Sequence, residues 1–186
     1  KSLTDAKGLP RMEDVLLRQL HAAYGDKRDA PVFIQSFEVS NLQYLRPRTT
    51  MRLVQLLSAN GKPYDFQVSG DSRGYQDLAR SAGLDFMKGY ADGIGAHTQL
   101  IVPTDGRRLL PSTELIKEAH ARGLLVHGWT FRAENQFLPS ELAKGSGPSA
   151  KGDMTAQLRA FIESGMDGFF TDHPDVGREA ISTMAR

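Results

Sequence analysis

The order in which two periodicities alternate constrains this chain more than any single motif. Apolar runs of strand length, bounded by turn formers, occur at Pro31–Phe37, Met51–Leu57, Asp92–Ala96, Leu124–Arg132 and Asp167–Thr171. Helical spacing flanks each of them. Met12–Ala23 has apolar residues at 12, 15, 16, 17 and 20 and Gly25 as its stop. Ser40–Arg46, capped by Ser40 and ended by Pro47, Leu84–Tyr90 and Thr113–Ala121 complete the first four helices. Met154–Ser164, capped by Asp153, and Val176–Met184, capped by Asp175, are the last two. Strict alternation argues for parallel strands joined by right-handed crossovers. The runs are apolar almost throughout, as strands covered on both faces must be. Two α/β architectures satisfy this pattern: a complete five-stranded open sheet, or the last five strands of a (β/α)8 barrel, which needs eight strands and typically ~250 residues. With 186 residues, periodicity leaves both open.

Two segments, Ser58–Gly74 and Ala133–Gly152, read as loops longer than a usual connection, the kind that carries function or decoration. His97–Pro111 reads as irregular. The net charge of +1 gives no sign of a nucleic-acid surface or an acidic partner. The chain has no cysteine, which excludes disulfides and thiolate metal sites. No apolar run approaches the ~20 residues of a membrane span.

The run Leu124–Arg132 carries the single tryptophan, Trp129, with His127 two residues earlier. Alternation along a strand puts His127, Trp129 and Phe131 on one face. A large aromatic near the C-terminal end of a parallel strand is placed either to wall a ligand site or to fill a core. Of the five histidines, none pairs at the i, i+4 spacing of a helical zinc motif. His21 and His120 lie on amphipathic helices and read as surface residues. His127 reads as a hydrogen-bonded interior histidine rather than a catalytic one. His173 follows a strand end, where a barrel site is plausible, although Pro174 and Asp175 are explained as helix-opening residues. Gln35 and Gln55 are amides inside apolar strands, costly to bury without a partner, and serve either a polar ligand or each other. Gly93 and Gly95 leave a strand with little bulk, which another backbone or a ligand can approach. There is no dinucleotide fingerprint, phosphate-cradling loop or nucleophile elbow.

Five segments taken in order resemble the glycerophosphodiester phosphodiesterase family: Gln35–Ser36–Phe37, Leu53–Val54–Gln55–Leu56, Tyr90–Ala91–Asp92–Gly93–Ile94–Gly95, Trp129–Thr130–Phe131–Arg132, and the run from Asp167 to Asp175. Gly8–Leu9–Pro10, Glu13–Asp14 and the run from Glu134 to Pro139 look like the larger periplasmic or secreted bacterial branch. The resemblance implies a (β/α)8 TIM barrel of which residues 1–186 supply the last five strand–helix units, the C-terminal part of a single domain. It implies hydrolysis of a small-molecule glycerophosphodiester to glycerol 3-phosphate and an alcohol. Two histidines would act as general acid and base beside a divalent cation, Ca²⁺ or Mg²⁺, held by carboxylates. The family's His-Arg-Gly opening, Glu-x-Asp pair, second histidine and Glu-x-Lys strand belong to its first three strands and have no counterpart here. The resemblance therefore places catalytic residues and metal ligands upstream of Lys1, on missing N-terminal sequence or a separate chain, and none within this segment. Carried over are substrate-binding positions: Gln35 and Phe37 on the fourth strand, Gln55 on the fifth, Trp129 on the seventh, and Arg132 just beyond it. Location would be periplasmic or secreted. Two rivals stand beside this reading: another phosphodiesterase or phospholipase D-like enzyme on the same barrel, or a non-catalytic barrel remnant that binds a ligand or partner.

Overall fold

The structure is a computed structural model that describes residues 8–184. Five strands, β1 (Phe33–Ser36), β2 (Arg52–Leu57), β3 (Gly93–His97), β4 (Leu125–Phe131) and β5 (Gly168–Thr171), form one parallel sheet in sequence order. Among the described residues, β1 and β5 are the sheet's edges. The helices are α1 (Met12–Tyr24), α2 (Val39–Leu45), α3 (Tyr64–Ser69), α4 (Tyr75–Leu78), α5 (Ser81–Lys88), α6 (Thr98–Ile101), α7 (Leu115–His120), α8 (Met154–Glu163) and α9 (Pro174–Met184). Helix α1 carries Glu13 and Asp14 in its first turn and His21 in its last, matching the helix dipole at both ends. Gly25 stops it at φ 70°, a conformation glycine adopts without a Cβ penalty.

The sheet is curled. In a flat sheet β1 and β4 would lie three strand spacings apart, ~14 Å. Instead the rings of Phe33 on β1 and His127 on β4 meet edge to face at 4.8 Å. Outward-facing Ile34, Leu53, Leu57, Ile94, Ala96 and Val126 pack into the helix layer with Leu42, Leu84, Met87, Ala119, Leu158 and Phe161. That outer layer is the core. The inner face carries Phe33, Gln35, Val54, Leu56, Gly95, His127 and Phe170. A curled parallel sheet with helices outside it is an α/β half-barrel, not a flat doubly wound sheet.

Several local expectations change. Ser40 does not cap α2; Asp65, on α3, accepts from the backbone N–H groups of Val39 at 3.0 Å and Ser40 at 2.6 Å. A carboxylate from 25 residues away thus takes the orphan donors that a local serine was expected to take. The stretch expected as the loop Ser58–Gly74 contains α3, ended by Gly70 in the left-handed region. Helix α5 starts at Ser81, earlier than expected, and His97–Pro111 contains the helical turn α6. Asp153 does cap α8, accepting from the Ala156 N–H at 2.9 Å. Pro174 rather than Val176 opens α9, placing Asp175 inside the first turn.

Phe131 does not share a face with His127 and Trp129. The β4–β5 register shifts between Gly128 and Phe131, and the Trp129–Thr130 peptide is cis. Phe131 lies in the outer core, buried against Phe161 at 4.9 Å and Phe169 at 5.8 Å.

Candidate functional site

The C-terminal strand ends gather an aromatic cluster around Trp129. Its ring meets Phe37 edge to face at 5.5 Å and His97 at 5.0 Å. Its Nε1–H donates to the Gly95 carbonyl at 2.7 Å, which fixes the indole's direction. A Cβ on Gly95 would meet the Leu56 side chain, which would have to shift to admit it. The glycine-rich strand thus accommodates neighbouring side chains and seats the indole against its backbone. Phe37 is itself 41% exposed, so the cluster has an open apolar wall.

Trp129 divides two cavities. On one side lies a mouth of about 410 Å³, walled by Gln35, Phe37, Leu56, Trp129, Phe170 and Asp172. On the other lies a polar cavity of about 280 Å³ that includes His97, Thr130, Arg132 and Gln157. A larger cavity of about 670 Å³ sits at the opposite end of the inner face, between Phe33, Arg52, Leu125, His127 and Phe170.

The five expected substrate-binding residues separate into groups. Gln35, Phe37 and Trp129 converge on the mouth. Arg132 lines the cavity behind Trp129, its Nε donating to Asp172 Oδ2 at 2.6 Å and its guanidinium 4.7 Å from the Phe137 ring centre. Gln55 is fully buried and points outward, away from Gln35, so the two amides do not serve each other. Its Nε2 donates to the carbonyls of Ser36 at 3.2 Å, Phe37 at 3.0 Å and Leu56 at 3.2 Å, while its Oε1 accepts from the Tyr90 hydroxyl at 2.9 Å. Gln55 offers no surface to a ligand; it ties the end of β1, and hence Phe37, to β2.

Among the described residues His127 has no side-chain hydrogen-bond partner, contrary to expectation. It packs edge to face between Phe33 and Phe170, and burial lowers its pKa against the opposing pull of Asp167. His173 pairs with Glu134, Nε2 to Oε2 at 3.2 Å, and its backbone N–H donates to Thr171 Oγ1. Glu134 is held below its ordinary value by its own backbone amide and by His173. Glu38, at the end of β1, is pushed up by burial and then by the charges of Asp65 and Glu13. Sequence reasoning passed over His97 and Gln157. His97 caps α6, its Nδ1 accepting from the Gln99 N–H at 3.2 Å, and burial lowers its pKa. Gln157 sits on the buried stripe of α8.

Among the described residues no three His, Asp or Glu side chains converge as a cation would need. Asp172, at the end of β5, is committed to Arg132, and Asp65, on α3, to the α2 amides. The residues present do not by themselves make a divalent-cation site.

A curled parallel sheet with an aromatic-walled mouth at the C-terminal strand ends defines an α/β barrel-type protein, because ligands in such folds bind where loops leave those ends. Residues 4–176 match the Glycerophosphoryl diester phosphodiesterase family, and the chain belongs to it. It is 34% identical over 143 residues to a glycerophosphodiester phosphodiesterase of Arabidopsis thaliana, a match that covers 76% of this chain and 35% of that protein. The chain thus spans about a third of the length of that relative. Two solved structures share the fold. One, from Silicibacter pomeroyi, described as a glycerophosphoryl diester phosphodiesterase, superposes with a TM-score of 0.59 at 16% identity over 94% of this chain and 44% of its own. The other, described alike and from Agrobacterium tumefaciens, gives 0.53 at 18% identity over 97% and 56%.

Proposed function

We propose that this chain supplies a substrate-binding part of an enzyme that hydrolyses glycerophosphodiesters to glycerol 3-phosphate and an alcohol. The convergence of Gln35, Phe37 and Trp129 at the strand ends, in a chain of this family, carries the reading. Phe37 and Trp129 present apolar ring surface to the carbon skeleton of the glycerol, and the Gln35 amide supplies both donor and acceptor for a hydroxyl. Arg132 adds positive charge beside the same strand end, moderated by Asp172.

In this reading β1 to β5 are the last five units of an eight-stranded barrel, and residues outside this chain provide the other three. The chain covers about half or less of two of its relatives, and among the described residues neither sheet edge has a further strand paired to it. The acid and base groups and the carboxylates for Ca²⁺ or Mg²⁺ lie on those residues, and the cation there would offset phosphodiester charge. Periplasmic or secreted location belongs to the same reading and rests on the likeness of the Gly8–Pro10 and Glu134–Pro139 runs to that branch.

The test compares the full-length protein carrying this chain with the 186-residue chain alone. Each is given glycerophosphocholine with Ca²⁺ or Mg²⁺, and glycerol 3-phosphate is measured. Release by the full-length protein only is expected. Turnover by the isolated chain above a metal-free control would refute the division of labour. No turnover by either, with the fold verified, would refute the activity.

A further inference from the structure

The cavity behind Trp129 holds polar groups that the mouth does not use. Gln157 is only 7% exposed, yet its side-chain amide makes no hydrogen bond to any described residue. Its amide atoms are not sealed off, so water or a ligand in the cavity can reach them and satisfy their hydrogen bonds. At about 280 Å³ the cavity far exceeds the ~30 Å³ share of one water, and approaches the ~300 Å³ of the smallest ligand pockets.

His97 narrows the chemistry. Its Nδ1 accepts from the Gln99 backbone N–H, so that nitrogen carries a lone pair and the neutral ring holds its proton on Nε2. Nε2–H makes no hydrogen bond to any described residue, and His97 lines the cavity. Burial favours this neutral form. Thr130 adds a hydroxyl that is donor and acceptor together. Arg132 is the one permanently charged side chain on the wall; it is already paired with Asp172, and its guanidinium lies against Phe137. A quaternary ammonium would meet that guanidinium and no carboxylate. A free anion would find the Arg132 charge already partnered. A neutral ligand with several hydroxyls matches the donors and acceptors of His97, Thr130 and Gln157, and its carbon frame the rings of Trp129 and Phe137.

We propose that this cavity seats a neutral polyhydroxyl head group, with His97 Nε2–H and the Gln157 amide as its hydrogen-bond partners and Trp129 as its wall. The assignment rests on the phosphodiesterase reading for its place in a substrate: the polyol is the alcohol half of the diester, and head groups of this kind are preferred over choline. Gln157 reads the hydroxyl pattern, and Thr130 links the cavity to the mouth, whose wall it also forms.

The experiment uses the full-length protein and two substrates, glycerophosphoinositol and glycerophosphocholine, with binding of free myo-inositol measured separately by calorimetry. Gln157→Met keeps the volume and deletes the amide. It is expected to lower the inositol-over-choline ratio of kcat/KM about tenfold, the worth of one good hydrogen bond, and to weaken myo-inositol binding by a similar factor. Gln157→Glu keeps the shape and adds a negative charge, and should move the ratio further toward choline. It also keeps the test alive if the methionine variant fails to fold. His97→Phe should lower the ratio as Gln157→Met does. A ratio within about twofold of wild type in folded variants, or no saturable myo-inositol binding by wild type, overturns the proposal. If the full-length protein hydrolyses neither substrate, the phosphodiesterase reading fails, and the binding measurement still decides the cavity.

Discussion

Replacing Gln55 by leucine should destabilise the protein by about 2–4 kcal/mol, although leucine is nearly the same size and more apolar. The side chain is fully buried and all its polar capacity is engaged: three carbonyls accept from Nε2, and the Tyr90 hydroxyl donates to Oε1. A typical neutral hydrogen bond contributes about 1 kcal/mol net, but a buried group left unpaired costs about 1–3 kcal/mol. Tyr90 is 4% exposed, so its hydroxyl has little water to turn to. The Phe37 carbonyl keeps one long contact, from the Tyr75 hydroxyl at 3.4 Å, which limits the loss at that end. The double variant Gln55→Leu/Tyr90→Phe should therefore be more stable than Gln55→Leu alone, by about 1–2 kcal/mol, because the stranded hydroxyl is gone. Urea unfolding of the four members of this cycle gives both numbers. The full-length single variant should also bind substrate less tightly, since Gln55 anchors the strand end that carries Phe37. A Gln55→Leu stability within about 0.5 kcal/mol of wild type, with no coupling to Tyr90, would refute the account.

Trp129→Ala should raise KM more than it lowers stability. The indole is only half-buried, so the ~3–5 kcal/mol of a fully buried aromatic is an upper bound, checked by unfolding beside kinetics. Asp65→Ala removes the acceptor of two α2 amides and should cost about 1–2 kcal/mol in urea unfolding, whereas Ser40→Ala should cost almost nothing. Asp71, bonded to the Arg73 guanidinium and backbone N–H, is held down at about 2 against an ordinary 3.8. A carboxyl depressed in the folded state stabilises the fold above its unfolded value, and loses that contribution as pH falls from 3.8 through about 2. The urea midpoint of wild type should thus approach that of Asp71→Asn over this window and exceed it above.

The strand order was legible because each run ends in turn formers, and all five strands lie within a residue or two of the sequence reading. Which face each residue takes was not legible, because strands covered on both sides lack polar alternation to mark the inside. Gln35 and Gln55 looked equivalent, yet one faces the mouth and the other the Tyr90 hydroxyl. Asp65 was unreadable as a cap because the helix it serves begins 26 residues upstream. Gln157 did carry a signal: Met154, Gln157, Leu158 and Phe161 form an i, i+3, i+4, i+7 stripe with one amide in it. His97 had a weaker one, a histidine at a strand end whose register partner is Trp129. Phe131 was misplaced because a register shift breaks the two-residue period that the argument assumed.

The largest inner cavity, about 670 Å³, is a poor candidate for the site despite its size. Arg52 and Leu125 stand at the N-terminal ends of β2 and β4, and Asp167 just before β5, whereas ligands in parallel barrels meet the C-terminal ends. Phe33, His127 and Phe170 instead form part of a layer of the kind that fills a barrel's interior. Gly168 fits this packing, since a Cβ there would lie 2.9 Å from His127 Cδ2. If, as proposed, three further strands complete the barrel, their side chains would occupy the space. Phe33→Ala in the full-length protein should then cost about 3 kcal/mol or more in urea unfolding while leaving KM for glycerophosphodiesters unchanged. In the isolated chain, where the ring is only partly buried, the same substitution should cost less. A KM change without a loss of stability would place substrate at this end of the barrel, and equal costs in both proteins would show that no further strands close over Phe33.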